Sequence, residues 1–204
     1  YSLSTAWDLS TASYDSVSFS VSGQETIPQG LFFKPDGTKM YVVGNTDSVY
    51  QYSLSTAWDL STASYDSVSF NVSSQETSPT GLFFKDDGTK MYVVGTGSDT
   101  VYQYSFSTAW DVSTASYDSV SFSVSGQETI PSGLFFKPDG TKMYVVGESS
   151  DRVYQYSTGS YPTITLPASV QNSPSEAFEA DRVTYTFFTD DGGTNVHLIS
   201  EEIE

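Results

Sequence analysis

The chain has 204 residues, with eight Lys plus Arg against 25 Asp plus Glu, a formal charge of −17 and a pI near 4.1. So acidic a chain lacks the basic stripe that phosphate backbones and anionic bilayers attract, which sets nucleic acid and membrane surfaces aside as partners. It has no cysteine, which excludes disulfides, thiol chemistry and thiolate metal sites, and it has no apolar run long enough to insert into a bilayer.

Ser, Thr, Gly and Tyr dominate, 15 Tyr and 13 Phe supply much of the apolar bulk, and strong helix formers are scarce, so an all-β protein is expected. The chain starts at Tyr1 rather than Met and shows no basic and apolar leader, so the expectation is a processed or partial chain. The stretch YSLSTAWD or a close variant begins at Tyr1, Tyr52 and Tyr104, spacings of 51 and 52 residues. Self-similarity at such a period is the mark of a repeat architecture.

Four short strands are predicted per repeat. The first to appear is a strand d, Ser16 to Val21, with Val17, Phe19 and Val21 on one face and serines on the other, as a strand with one wet face requires. The first full set is strand a from Leu31 to Lys34, b from Lys39 to Val43, c from Ser48 to Leu54 and d from Ser67 to Val72. Between a and b, Pro35-Asp36-Gly37-Thr38 reads as a tight hairpin turn. Strand a is apolar on both faces and d on one, so burial is expected to fall from a to d, as in a propeller blade running from centre to rim. Each blade buries its faces only against its neighbours. A β-trefoil is the alternative fold.

The run P-x-G-L-F-F-K-P-D-G-T-K-M-Y-V-V-G followed by V-Y-Q-Y-S-L-S-T-A-W-D resembles the YVTN/NHL-type propeller repeat, and more closely the repeats of structural and tail-associated proteins of marine tailed phages. The resemblance covers residues 1–157. It implies a non-enzymatic virion module, a tail fibre or similar host-recognition protein that binds a surface receptor or glycan. Its partners would be other virion proteins or further copies of itself, and its location the virion or the extracellular space. Runner-up readings are a purely structural virion or cell-surface repeat protein and an extracellular lactonase- or glycosidase-like enzyme. The last a-b-c set, Leu134 to Tyr156, lacks a strand d, which Ser16 to Val21 can supply by strand exchange. That closure makes three blades, below the usual range of about four to eight, so a fragment of a longer propeller or a six-bladed ring of two copies is also in play.

After residue 157 the pattern stops, and residues 158–204 read as a small β appendage for attachment or oligomerisation. Ser157 to Ser160 is its linker, Thr163 to Leu166 a short strand and Asn172 to Ala180 a loop. Val183 to Thr189 and Asn195 to Ser200 form a hairpin about an Asp190-Asp191-Gly192-Gly193 turn. Its sequence resembles the short terminal domain of such virion proteins.

Catalytic signals are weak. His197 has no second His or Cys to work with, and it reads as a half-exposed strand residue. Asp36, Asp87 and Asp139 in the a–b turns and Glu25, Glu76 and Glu128 in the d–a loops lie at opposite blade ends, where a glycosidase pair would have to converge. No catalytic residue is assigned. Asp47, Asp99 and Asp151 leave oxygen-ligated Ca²⁺ open as a cofactor, but no dense Ca²⁺ loop is present and turn-forming Asp is preferred. Trp7, Trp58 and Trp110 read as packing residues, with sugar stacking the alternative. The turn lysines Lys34/Lys39, Lys85/Lys90 and Lys137/Lys142 are expected to be solvated beside the turn Asp.

Set against one another, the copies differ mostly in two loops. The d–a region changes at Ser20/Asn71/Ser123, Gly23/Ser74/Gly126, Ile27/Ser78/Ile130 and Gln29/Thr80/Ser132. The b–c loop reads NTDS from Asn45, TGSDT from Thr96 and ESSDR from Glu148. Both loops emerge on one face of a propeller, and the opposite face is nearly constant. The expected ligand face therefore comprises Gln29, Asn45, Thr46, Asp47, Thr80, Thr96, Ser98, Asp99, Ser132, Glu148, Asp151 and Arg152.

Overall fold

Turn chemistry opens each blade. The backbone N–H of Gly37 donates to the Lys34 carbonyl at 2.8 Å and the Lys34 N–H donates to the Lys39 carbonyl at 3.0 Å, closing the hairpin. Gly37 sits at φ +74°, a left-handed conformation that glycine adopts without penalty. The Asp36 carboxylate accepts from the Thr38 N–H and hydroxyl at 2.9 and 2.6 Å, an Asx turn that ties the tip to itself.

A computed structural model describes residues 1–158, 175–180, 183–190 and 195–203. The chain divides into two compact units, Tyr1–Ser157 and Thr158–Glu204. Unit 1 begins with two short paired strands, β1 (Ser2–Leu3) and β2 (Ala12–Ser13). The first blade is an antiparallel sheet of β3 (Pro28–Phe33), β4 (Lys39–Gly44), β5 (Ser48–Leu54) and β6 (Ala63–Asn71), in that order. The second repeats it with β7 (Pro79–Phe84), β8 (Lys90–Gly95), β9 (Thr100–Phe106) and β10 (Ala115–Ser123). The third has three strands, β11 (Pro131–Phe136), β12 (Lys142–Gly147) and β13 (Val153–Ser157). These separate meandering sheets are propeller-type blades, and among the described residues no barrel closes as a trefoil would require.

Blades adhere through a repeated contact. Tyr41, Val43 and Val49 of the first blade share a buried core with Leu82, Phe84, Met91, Val93 and Tyr104 of the second. Trp110, in the loop after β9, lies at the centre of this seam. It stacks at 6.4 Å on Phe32 and 6.3 Å on Tyr41 of the preceding blade and at 5.7 Å on Phe84 of its own. The Tyr41 hydroxyl donates to the Trp110 carbonyl at 2.7 Å, and the Val112 N–H donates to the Gln51 side-chain carbonyl at 3.0 Å. A Cβ on Gly88 would run into the Trp110 ring, so this turn glycine is required twice, for its φ of +71° and for the space above it. At the outer rim Phe19, and a Phe of strand d in the first and second blades, each meet a Tyr of the following strand c. These pairs are Phe19–Tyr52, Phe70–Tyr104 and Phe122–Tyr156, at 5.6, 5.4 and 5.2 Å.

Several expectations change. The segment Ser16 to Val21 is not a strand and does not complete the third blade. Phe19 and Val21 instead pack on the first blade against Met40, Val42, Tyr52 and Leu54, where a preceding blade's outer strand would lie. Burial does not fall steadily from a to d. In the first blade β4 is the most buried strand, and β3 is largely exposed because no inner strands of a preceding blade cover it. Lys39 and Lys90 are not solvated beside the turn Asp. They reach across the sheet to Asp66 and Asp118 at 3.1 and 2.9 Å, carboxylates brought inward by a bulge where Ser67 and Ser119 take φ of 58° and 59°. Lys34, Lys85 and Lys137 do pair with the turn Asp.

Unit 2 is a sheet in the order β14 (Ser175–Ala180), β15 (Val183–Asp190), β16 (Asn195–Ile203). Residues 175–180, expected as loop, form a strand because pairing with β15 over its whole length outweighs a weak local propensity. The β15–β16 hairpin is present, while Thr163 to Leu166 and the turn residues 191–194 lie outside the described residues.

The Gly88 environment makes a differential prediction. In a Trp110→Ala background, where the ring is gone, Gly88→Ala should cost about 1 kcal/mol, the left-handed penalty of its φ alone. The same change in the parent should cost about 2–4 kcal/mol, because overpacking against Trp110 is added. Denaturant midpoints in the two backgrounds check this, and equal losses would contradict the Trp contact.

Candidate functional site

Three glutamates organise the varied loops. Ahead of each strand a the chain tightens, with the Glu25, Glu76 and Glu128 N–H groups donating to Val21, Val72 and Val124 carbonyls at 2.8 Å. This turn aims each carboxylate inward, and all three side chains are fully buried. Glu25 accepts from the Ile27 N–H, the Thr46 N–H and the Thr46 hydroxyl at 2.8, 3.0 and 2.6 Å. Glu76 accepts from the Ser78 N–H, the Gly97 N–H and the Ser98 hydroxyl at 2.8, 2.8 and 2.6 Å. Glu128 accepts from the Ile130 and Ser149 N–H groups, both at 2.9 Å, and from the Ser149 and Ser150 hydroxyls. Each carboxylate thus staples a b–c loop to its d–a loop. A Cβ on Gly95 would meet the Glu76 carboxyl carbon at 2.7 Å, so the glycine ending strand b makes room for the staple.

Burial opposes ionisation of Glu25 and Glu128, but the donors surrounding each outweigh it. Glu25 is held below its ordinary value, and Glu128 falls to about 2. The neighbouring Asp99 moves the other way, pushed up by burial and by the charges of Glu76 and Glu128. The face is therefore strongly anionic.

The staples place the d–a and b–c loops together, while Trp58 N–H to Gly37 carbonyl (3.0 Å) and Leu54 N–H to Thr38 carbonyl (2.9 Å) place the c–d and a–b loops together. Within the first face, Asn45, Thr96, Glu148, Gln29, Ser132, Asp151 and Arg152 are exposed. Thr46 and Ser98 spend their hydroxyls on the glutamates, and Thr80 donates to the Pro131 carbonyl of the next blade at 2.6 Å. Asp47, Asp99 and Asp151 hold left-handed corners at φ 56°, 52° and 55°. The Asp47 and Asp99 carbonyls accept from Val72 and Val124 N–H groups at 2.8 Å, which is a turn-forming role.

Trp110 is enclosed between blades and offers no stacking platform, whereas Trp7 and Trp58 are exposed. Among the described residues, no group of three or more His, Cys, Asp or Glu side chains is placed to hold a metal ion. The turn carboxylates Asp36, Asp87 and Asp139 are each taken up by the lysine of their own turn. His197 lies in β16, in register with Phe188. Sequence reasoning missed the role of the glutamates. The available signal was that Glu25, Glu76 and Glu128 persist in a loop whose other positions change.

No protein-family model matches this chain, and no curated protein matches it. Solved structures do. A functionally unknown protein from Desulfotomaculum acetoxidans aligns with a TM-score of 0.46 and 11% identity, over 85% of this chain and 41% of that one. A putative 6-phosphogluconolactonase from Bacteroides uniformis gives 0.45 and 13%, over 83% and 55%. The periplasmic gluconolactonase of Pseudomonas aeruginosa gives 0.44 and 16%, over 85% and 39%. The chain spans about 40–55% of the length of these proteins. Proteins named as lactonases are among these matches, so the expectation that the chain is not an enzyme is set aside.

Lowered carboxyls set the sign of a pH effect. For a folded value below the unfolded one, the stabilisation is complete above the unfolded value, near 4.5 for Glu128, and is lost as pH falls toward about 2. Glu128→Gln should lower the urea midpoint at neutral pH, since one amide end faces a donor. It should also flatten the midpoint's fall between about pH 4.5 and 2 relative to the parent. An unchanged slope would contradict the staple.

Proposed function

We propose that unit 1 is a binding module whose ligand face is the one carrying the d–a and b–c loops, and that the ligand is a neutral polyhydroxylated molecule, a glycan or a sugar lactone. The observation that carries this reading is the set of buried glutamates, constant in kind, each fixing a b–c loop of different sequence. Loops held rigidly while their exposed tips vary are pre-organised for recognition, which spares the ordering cost of binding. The near-invariance of the opposite face has its own cause, since its loops clamp neighbouring blades through Trp110 and Gln51.

Charge narrows the ligand. Buried Glu76 and Glu128 beside Asp99, with Arg152 as the cationic side chain in the b–c loops, disfavour phosphorylated or otherwise anionic sugars. The Asn, Thr, Ser and Gln tips suit hydroxyl recognition. The resemblance of the repeat to tail-associated phage proteins makes a host-surface glycan the first class to examine, and the lactonase names among proteins of like fold add neutral sugar lactones as ligands or substrates.

A glycan array and a lactone-turnover assay on the same protein test this. Binding or turnover of neutral members is expected, with phosphorylated members excluded. The combined change Asn45→Ala, Thr96→Ala and Glu148→Ala should weaken it at least about tenfold, or roughly 1.4 kcal/mol, with the melting temperature unchanged. Binding indifferent to the triple change, or confined to phosphorylated sugars, would overturn the reading.

A further inference from the structure

Unit 1 exposes, at its two ends, side chains whose equivalents are buried in its middle. On the first blade Leu31 is 59% exposed and Trp58 61%, whereas the matching Leu82 and Trp110 are 6% and 8% exposed. This open side carries a pocket of about 270 Å³ lined by Phe19, Val21, Leu31, Met40, Val42 and Leu60. On the third blade Val153 is 67% exposed, whereas the matching Val49 is fully buried. The two open sides are the two halves of the seam formed between the first and second blades.

Polar groups show the same division. In the first blade Asp66 accepts from Lys39, Gln51 and Ser53 at 3.1, 2.8 and 2.9 Å. In the second, Asp118 accepts from Lys90, Gln103 and Ser105 at 2.9, 2.6 and 2.8 Å. The third blade has the donors Lys142, Gln155 and Ser157, with Lys142 turned onto Ser157 at 2.8 Å, but among the described residues no strand d brings it the carboxylate. The matching carboxylate is Asp15, at the other end of the unit, where it pairs with the Tyr1 ammonium at 3.1 Å. Trp7, the counterpart of Trp110, is 99% exposed. Residues 158–204 do not carry the repeat pattern.

We propose that a second copy of this chain docks head to tail, with the third blade of one copy entering the open side of the other, so that residues 13–21 of that copy become its fourth strand and Asp15 receives Lys142, Gln155 and Ser157. The β5–β6 register pairs Val49 with Phe70 and Gln51 with Val68. The same register sets Val153 of one copy opposite Phe19 of the other and Gln155 opposite Val17. Trp7 then stacks on Phe83 and Tyr92 as Trp110 stacks on Phe32 and Tyr41. The present pairing of Ser2–Leu3 with Ala12–Ser13 and the ammonium contact of Asp15 give way to it. The occupant is a second copy rather than the same chain, because Phe19 and Val21 are packed on their own first blade and self-closure would leave a ring of three. Two head-to-tail contacts close a ring of six blades, within the usual range of about four to eight.

The native mass of the full chain, measured across concentration, tests the proposal without reference to any ligand. A particle of twice the 22.2 kDa chain mass is expected. Asp15→Lys and Lys142→Asp should each weaken the dimer at least about tenfold, and the double variant should restore it. Restoration also shows that the single variants failed by charge and not by misfolding. A monomer up to about 100 µM, or a dimer indifferent to both single substitutions, would overturn the proposal.

Discussion

The seam between successive blades, with a tryptophan lodged over a glycine turn and against the preceding blade's aromatic rings, is the contact on which unit 1 depends. One sheet of four short strands cannot bury its own faces. Here each face is completed by a neighbour. Trp110 lies between Phe84 of its own blade and Phe32 and Tyr41 of the preceding one, and backbone groups around it are satisfied by Tyr41 and Gln51. The turn ion pairs, such as Lys85 with Asp87, lie in solvent and add little by comparison.

This constraint accounts for which parts of the repeat are constant. The c–d loop looks like the place for variation because it is long, yet it inserts between blades. The b–c loop is held from beneath by a buried carboxylate, so its support is separated from its display. Changing Asn45 for Thr or Glu at the tip leaves the Glu25, Glu76 or Glu128 staple untouched. A fold arranged in this way can alter recognition without altering stability.

Much of the architecture was legible because turn glycines, period-two alternation and the 51- and 52-residue spacings each report on local geometry. The bounds of strand c, Ser48 to Leu54, follow directly from them. What could not be read were relations between distant residues. Lys39 reaches Asp66 because a bulge at Ser67 turns the carboxylate inward, and no spacing rule announces that. The destination of Phe19 and Val21 was likewise a choice between equal partners, settled by packing on Tyr52 and not by pattern. The strand over 175–180 arises from pairing with β15 and has little local signal. Of the candidate site, the exposed tips were legible as differences between copies, whereas the glutamates beneath them were hidden by their constancy.

The central claim, that neighbouring blades stabilise one another through the tryptophan seam, is tested most directly by hydrogen–deuterium exchange on Trp110→Ala. Protection should fall in the preceding blade at Tyr41 and Val43 as well as in the Trp110 blade at Leu82 and Phe84, because all four share the buried core around the indole. A change confined to the loop from Ser107 to Thr114 would contradict it.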